Sequence, residues 1–332
     1  MNLTLSSINR SGWRWPGSRI LKYLTALLCT MPAAWSQPVQ TIPKIAPRAM
    51  DLYAIEHQDM QWNQHQYRIF IATPRLPANS TSRQPVLYVL DGNAQFPLAV
   101  NEVLTQWEQS EGERSQTAEL PLVVGLGYPE DQAYPIQART RDYTFAAPGE
   151  AFAKGGGAGN FYDFLNDSVK PYIQKHYHVD SQRQILSGHS FGGLFALYVF
   201  LNHPESFTHY IIGSPSLWWG NAALVESQQG SAQSEQATFT RALLPTHTQV
   251  QAVSILQGEY EENPHADPKI APDRLARIKE RKSRVTARQL ETWLRGHGVK
   301  SEFTLLPGLG HGGVIPEVIR VAVRTALGVN KR

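Results

Sequence analysis

What this chain has little of narrows it quickly. It holds a single cysteine, Cys29, among 332 residues, which excludes a disulfide framework and Cys-rich zinc modules. Net charge is small: 31 Lys and Arg against 28 Asp and Glu, or +3, too little on its own to argue for a nucleic-acid partner. No apolar run in the sequence reaches the roughly 20 residues that a membrane-spanning helix needs. The first 36 residues contain no acid, only the bases Arg10, Arg14, Arg19 and Lys22. What is present is apolar substance, 42% of the chain, enough for a packed core and too much for wholesale disorder.

The acid-free start has the layout of a secretory signal peptide. A basic opening is followed by the apolar run Tyr23 to Ala34, broken by Pro32, and then by Ala34-Trp35-Ser36 before Gln37. Those are a charged n-region, a short h-region and small residues at the −3 and −1 positions. A lipid-anchored alternative at Cys29 is disfavoured by Leu28, which stands where a small residue is wanted. The expectation is a leader over 1–36 and one domain over 37–332. Removing 36 of the 332 residues leaves 296, and taking four positive charges from +3 leaves −1 with no cysteine.

Beyond the leader, short apolar runs rich in β-branched residues alternate with longer helical patterns. Tyr53 to His57 and Tyr67 to Pro74 read as opening antiparallel strands with a turn near Asn63. Pro85 to Leu90 and Leu120 to Leu126 are near-continuous apolar runs of the kind buried on both faces. Further strands are predicted around Ile185, at Tyr210 to Ile212, Val250 to Leu256 and Phe303 to Leu306. Helices are predicted over Phe96 to Trp107, Asn160 to His176, Phe191 to Asn202, Pro272 to Arg295 and Pro316 to Leu327. Alternation of this kind predicts an α/β fold: a mostly parallel sheet with helices on both faces. The stretches 130–159, 228–248 and 260–271 read as loops.

One pentapeptide carries chemistry. Gly188-His189-Ser190-Phe191-Gly192 lies between a strand pattern and a helix pattern, the context of a strained turn that exposes a serine hydroxyl. The N–H of Phe191 would then stand at a helix N-terminus, suited to an oxyanion. A serine needs a base to take its proton. His311, set among glycines after the last predicted strand, is the candidate of the 11 histidines. The orienting acid should follow Val253 to Leu256, where Gln257-Gly258-Glu259-Tyr260-Glu261-Glu262 offers several carboxylates. Glu261 is preferred, Glu259 is its rival, and a Ser–His dyad is the third possibility. Asn93, after Leu90-Asp91-Gly92, is the candidate for a second backbone oxyanion donor.

These residues, with several neighbouring blocks, resemble the putative-esterase branch of the α/β-hydrolases, and within it the esterases that open trilactone siderophores. The blocks are Leu87 to Asn93, Arg139-Thr140-Arg141-Asp142-Tyr143-Thr144, Gly155-Gly156-Gly157-Ala158, Gly188 to Gly193, Ser214-Pro215-Ser216-Leu217-Trp218-Trp219 and Leu309 to Gly312. The resemblance implies an α/β-hydrolase fold and a serine esterase acting on a ferric catecholate, a small-molecule substrate. It implies no metal or other cofactor and no nucleic acid. It also implies that an arginine of the 139–144 block and a tryptophan of the 214–219 block border the substrate. Arg139 is chosen over Arg141, which stands beside Asp142 and suits an ion pair; Trp218 is chosen, with Trp219 left open. The basic stretch Lys279, Arg281, Lys282 and Arg284 reads as a solvated helix face or as an electropositive rim. With the leader, the resemblance leads one to expect a periplasmic location, no stable membrane insertion, and inner-membrane-associated uptake machinery as a neighbour.

Overall fold

Apolar runs too short for helices pair into one eight-stranded sheet of order β1-β2-β4-β3-β5-β6-β7-β8. The computed structural model describes residues 41–76, 80–110, 119–222, 224, 250–281 and 283–329. The expected leader and the stretch 228–248 lie outside them. β1 (Tyr53–Trp62) and β2 (His65–Pro74) form an antiparallel hairpin turning at Asn63, whose φ is 52°. β2 also runs antiparallel to β4 (Leu122–Gly127). From β4 onward all pairings are parallel: β3 (Gln84–Val89), β5 (Val179–His189), β6 (His209–Gly213), β7 (Ala252–Gly258) and β8 (Ser301–Leu306). β3 and β4 are buried along their whole length, which is why they read as unbroken apolar runs.

Side-chain alternation splits the core into two layers. Val86, Tyr88, Leu126, Leu186, Tyr210 and Ile255 face one layer, covered by α4 (Ala158–Phe164), α6 (Phe191–Asn202) and α9 (Ala287–Gly296). Leu87, Val89, Val123, Ile185, Ile211 and Leu256 face the other, covered by α2 (Gly92–Gln109) and α10 (Ile315–Leu327). A single turn, α1 (Ala49–Leu52), precedes β1. No helix among the described residues is long and apolar enough to cross a membrane.

Four stretches differ from the pattern reading, among them the expected loop 260–271, which opens with the helical turn Glu259–Glu262. The expected loop 130–159 contains α3 (Ile136–Tyr143). Its inward residues include Arg139 and Asp142, so a buried face is written in charged residues and no apolar period announces it. The helix expected over Asn160 to His176 is interrupted by a π turn at Leu165–Val169, between α4 and α5 (Lys170–His176). The expected helix Pro272 to Arg295 is two, α8 (Pro272–Glu280) and α9. The break comes at Thr286, whose hydroxyl accepts from the Gln289 N–H at 3.1 Å while its own N–H donates to the Gln289 side chain at 2.9 Å. That reciprocal cap starts a new helix.

The junction of β5 and α6 is a strained turn. Ser190 has φ 61° and ψ −116°, a conformation that costs on the order of 1–3 kcal/mol for a residue with a side chain. The crowding falls on two of the three flanking glycines. A Cβ at Gly188 would lie 2.4 Å from the Gly192 carbonyl oxygen, and one at Gly193 2.6 Å from that of Gly213. At Gly192 the nearest atoms would be Leu90 Cβ at 3.3 Å and Asp91 Oδ2 at 3.4 Å, a tight contact but not a collision. Gly188→Ala and Gly193→Ala are therefore expected to destabilise the fold by about 3 kcal/mol each. Gly192→Ala, helped by the better helix propensity of alanine, should cost less than about 1 kcal/mol. Urea unfolding of the three variants checks this; equal losses would contradict it.

Candidate active site

The carboxyl ends of β5, β7 and β8 bring three side chains into one hydrogen-bonded line. The Ser190 N–H donates to the Gly213 carbonyl at 2.9 Å, fixing the turn against β6. The Ser190 hydroxyl stands 3.0 Å from His311 Nε2, and His311 Nδ1 stands 2.6 Å from Glu261 Oε2. A carboxylate can only accept here, so Nδ1 carries the proton and Nε2 offers its lone pair to the Ser190 O–H. The His311 loop is pressed onto α7 (Glu259–Glu262). Tyr260 N–H donates to the Leu309 carbonyl at 3.0 Å, and a Cβ at Gly258 would collide with that same oxygen at 2.3 Å.

Of the competing carboxylates, Glu261 is the one against His311. It is the third residue of the short helix that starts after Gly258, and its Oε1 reaches back to accept the Gly258 N–H at 2.9 Å. The Ser214 hydroxyl donates to the same oxygen at 2.6 Å. Burial alone would push this carboxyl up, but the facing His311 charge and the hydrogen bonds from His311, Ser214 and Gly258 bring it down to about 2. It is an anion at any working pH. Glu259 acts elsewhere, its Oε2 accepting the Gly308 N–H at 2.7 Å and so holding the entrance of the His311 loop.

Phe191 and Asn93 both stand in the first turns of their helices, α6 and α2, where backbone N–H groups have no intrahelical acceptor. The Asn93 side chain is fully engaged elsewhere. Its Nδ2 donates to the carbonyls of Tyr128 (2.9 Å) and Glu130 (2.8 Å), and its Oδ1 accepts the Tyr128 N–H (2.9 Å). Gly92 allows this first turn to lie against β4, since a Cβ there would sit 2.7 Å from the Gly125 backbone. Asp91, just before it, has φ 53°.

Arg139, expected to border the substrate, lies in the interior of the fold. It is buried, with Nε and Nη2 donating to the two Asp91 oxygens at 2.7 and 2.9 Å. Burial would lower its proton affinity, and the Asp91 carboxylate more than reverses that. The guanidinium carbon also lies 5.4 Å from the centre of the Phe191 ring. Arg139 thus ties together the two segments that carry the Phe191 and Asn93 N–H groups. Arg141 forms the expected ion pair with Asp142, at 2.7 Å through both nitrogens.

The tryptophans divide clearly. Trp219 is core: it is 1% exposed and its indole N–H donates to the Phe145 carbonyl at 2.9 Å. Trp218 is half-buried beside the Ser190 turn, its ring 5.8 Å from that of Phe191, with the Arg281 guanidinium 4.8 Å over its face. The glycine block 155–157 packs the scaffold behind it, since a Cβ at Gly155 would strike Trp219 at 2.4 Å.

Pattern reading gave no role at the site to three neighbours. Ser214 and Ser216 touch the acid and the Ser190 hydroxyl (3.3 Å for Ser216); their signals were their place directly after β6 and their membership of the 214–219 block. His189, buried on the opposite face from Ser190, donates through Nε2 to the His311 carbonyl at 2.8 Å. Among the described residues, no group of three or more His, Cys, Asp or Glu could hold a metal ion. What the arrangement can do is acyl transfer: a hydroxyl aligned on a base, the base on a buried anion, and N–H donors alongside.

Comparison with known proteins agrees with that chemistry. The family model described as putative esterase matches residues 61–295. The chain is 29% identical over 276 residues to the ferri-bacillibactin esterase BesA of Bacillus subtilis strain 168, covering 79% of this chain and 84% of that one. It is 29% identical over 299 residues to the apo-salmochelin esterase of Escherichia coli O6:H1 strain CFT073, covering 87% and 84%. A solved structure of the enterobactin hydrolase IroE in complex with DFP superposes with a TM-score of 0.59 at 26% identity, over 83% of this chain and 96% of that one.

His189 yields a stability prediction. Burial, then the nearby His311 charge, lowers its imidazole to about 3. Unfolded, it titrates near the ordinary ~6.5. The unfolded chain therefore binds the extra proton first, and the stability that neutral His189 contributes is whole above ~6.5 and lost as pH falls toward 3. His189→Gln should flatten this loss by about 2 kcal/mol between pH 6.5 and 4.5, read as the difference between urea unfolding curves at the two pH values.

Proposed function

Since this chain belongs to the putative-esterase family of α/β-hydrolases and is a serine esterase, we propose that it hydrolyses the ester bonds of a catecholate trilactone siderophore. The observation that carries the chemistry is the Ser190–His311–Glu261 line, at 3.0 and 2.6 Å. Ser190 Oγ attacks an ester carbonyl as His311 takes its proton, and Glu261 stabilises the imidazolium. The N–H groups of Phe191 and Asn93 hold the oxyanion. His311 then passes the proton to the departing backbone hydroxyl, which leaves a Ser190 acyl-enzyme. Water, deprotonated by His311, attacks the acyl carbon; Ser190 Oγ leaves and takes the proton back. One ester and one water give one carboxylic acid and one alcohol.

Two things support the substrate. The relatives named above act on ferri-bacillibactin, salmochelin and enterobactin. A ferric tris-catecholate is an anion with flat aromatic arms, and Trp218 under Arg281 offers an indole face and a cation beside the Ser190 turn. With Arg139 buried, Arg281 is the better-placed charge for that role. We further propose that the protein is exported, loses residues 1–36, and works in the periplasm, where cutting the ring weakens iron binding.

Ser190→Ala is expected to lower hydrolysis by on the order of 10⁶ while retaining substrate binding. Chromatography of linear catecholate fragments released from ferric and iron-free trilactones checks both the nucleophile and the substrate. Rapid turnover of short aryl esters with the trilactones untouched would shift the reading to a general carboxylesterase. Tight binding with no fragments over hours would make it a carrier. For export, mass spectrometry of the protein from a periplasmic extract should find Gln37 at the N-terminus.

A further inference from the structure

A hydroxyl in contact with Ser190 belongs to a residue that the triad does not use. Ser216 is 4% exposed, and its Oγ lies 3.3 Å from Ser190 Oγ. Its backbone is pinned on both sides. Ser216 N–H donates to the Ser190 carbonyl at 3.1 Å, and its own carbonyl accepts the Trp219 N–H at 3.0 Å. Two residues earlier, Ser214 holds φ 40° with its N–H on the Leu256 carbonyl at 2.7 Å and its hydroxyl on Glu261. Pro215, between the two serines, has a fixed φ and stiffens the segment.

Proton positions along the line settle the direction of the Ser216 contact. Glu261 accepts from His311 Nδ1, so Nε2 accepts from Ser190. Ser190 has one proton and has given it to His311, so between the two hydroxyls Ser216 is the donor. We infer that Ser216 is a further catalytic residue, whose O–H stabilises negative charge on Ser190 Oγ as that atom attacks and again as it leaves. This inference rests on the assignment of Ser190 as the nucleophile. Two roles are thereby separated, since the N–H groups of Phe191 and Asn93 serve the carbonyl oxygen whereas Ser216 serves the attacking oxygen. The 3.3 Å separation is long for two hydroxyls. It should shorten as charge develops on Oγ, because hydrogen bonds to an anion are shorter and stronger.

The test uses the full chain, a short acyl p-nitrophenyl ester and a fluorophosphonate that reacts with the nucleophile, so it does not depend on the natural substrate. Ser216→Ala is expected to lower both kcat and the fluorophosphonate inactivation rate by about 10–100-fold, with KM and the thermal midpoint unchanged. Ser216→Thr, which keeps the hydroxyl, should recover most of both rates. Wild-type inactivation rates in Ser216→Ala overturn the inference, as does a Ser216→Thr protein as slow as Ser216→Ala. A Ser190→Ala protein that still hydrolyses the ester overturns the nucleophile assignment and, with it, this inference. A dead Ser190→Ala beside a fully active Ser216→Ala removes the inference alone.

Discussion

The carboxylate of Glu261 is the point on which the site depends. Donors from three separate segments converge on it: the His311 imidazole, the Ser214 hydroxyl and the Gly258 N–H. A buried anion is costly unless it is hydrogen-bonded and paired, and this one is both. Meeting that cost brings the ends of β6, β7 and β8 together. Each donor belongs to a different strand end, so the electrostatic requirement of one oxygen pair becomes a geometric constraint on the whole carboxyl edge of the sheet.

A second buried charge does comparable work on the other side of the turn. Asp91 and Arg139 lock α2 to α3 behind Phe191. Removing one partner of such a pair leaves an unmatched charge in the interior, which is far more harmful than losing a surface ion pair. The arginine and glycine blocks that make this chain resemble its relatives therefore serve in large part as scaffold. Gly155 makes room for Trp219, and Arg141 is spent on Asp142. Beside them, Trp218 is half-buried near the Ser190 turn with the Arg281 guanidinium over its ring.

Much of the fold was legible because burial on both faces leaves an unmistakable apolar run, as in β3 and β4. The elbow was legible because its steric needs select glycine at fixed places, although Gly193 is more constrained than the Gly192 of the pentapeptide. His311 could be found from its glycine setting. The choice of Glu261 over Glu259 turned on a helical turn of four residues, too short to leave a period. α3 was hidden because its inward residues are charged, and a buried ion pair reads in sequence like a solvated surface. Arg139 reads as a ligand-facing group for the same reason. Ser214, Ser216 and the hydrogen bond of His189 depend on contacts between strand ends far apart in the chain, and local pattern carries no trace of them.

His311 is held by two consecutive residues, the last of β5 and the first of the turn after it. His189 grips its carbonyl and Ser190 meets its ring. The strand ends at His189 and turns sharply at Ser190, whose φ is 61°, so the two residues reach different parts of the base. His189 fixes the backbone of the base, while Glu261 and Ser190 fix the direction of its ring. The ordering entropy of the base is thus settled when the chain folds, and an arriving ester meets a finished constellation rather than one it must assemble.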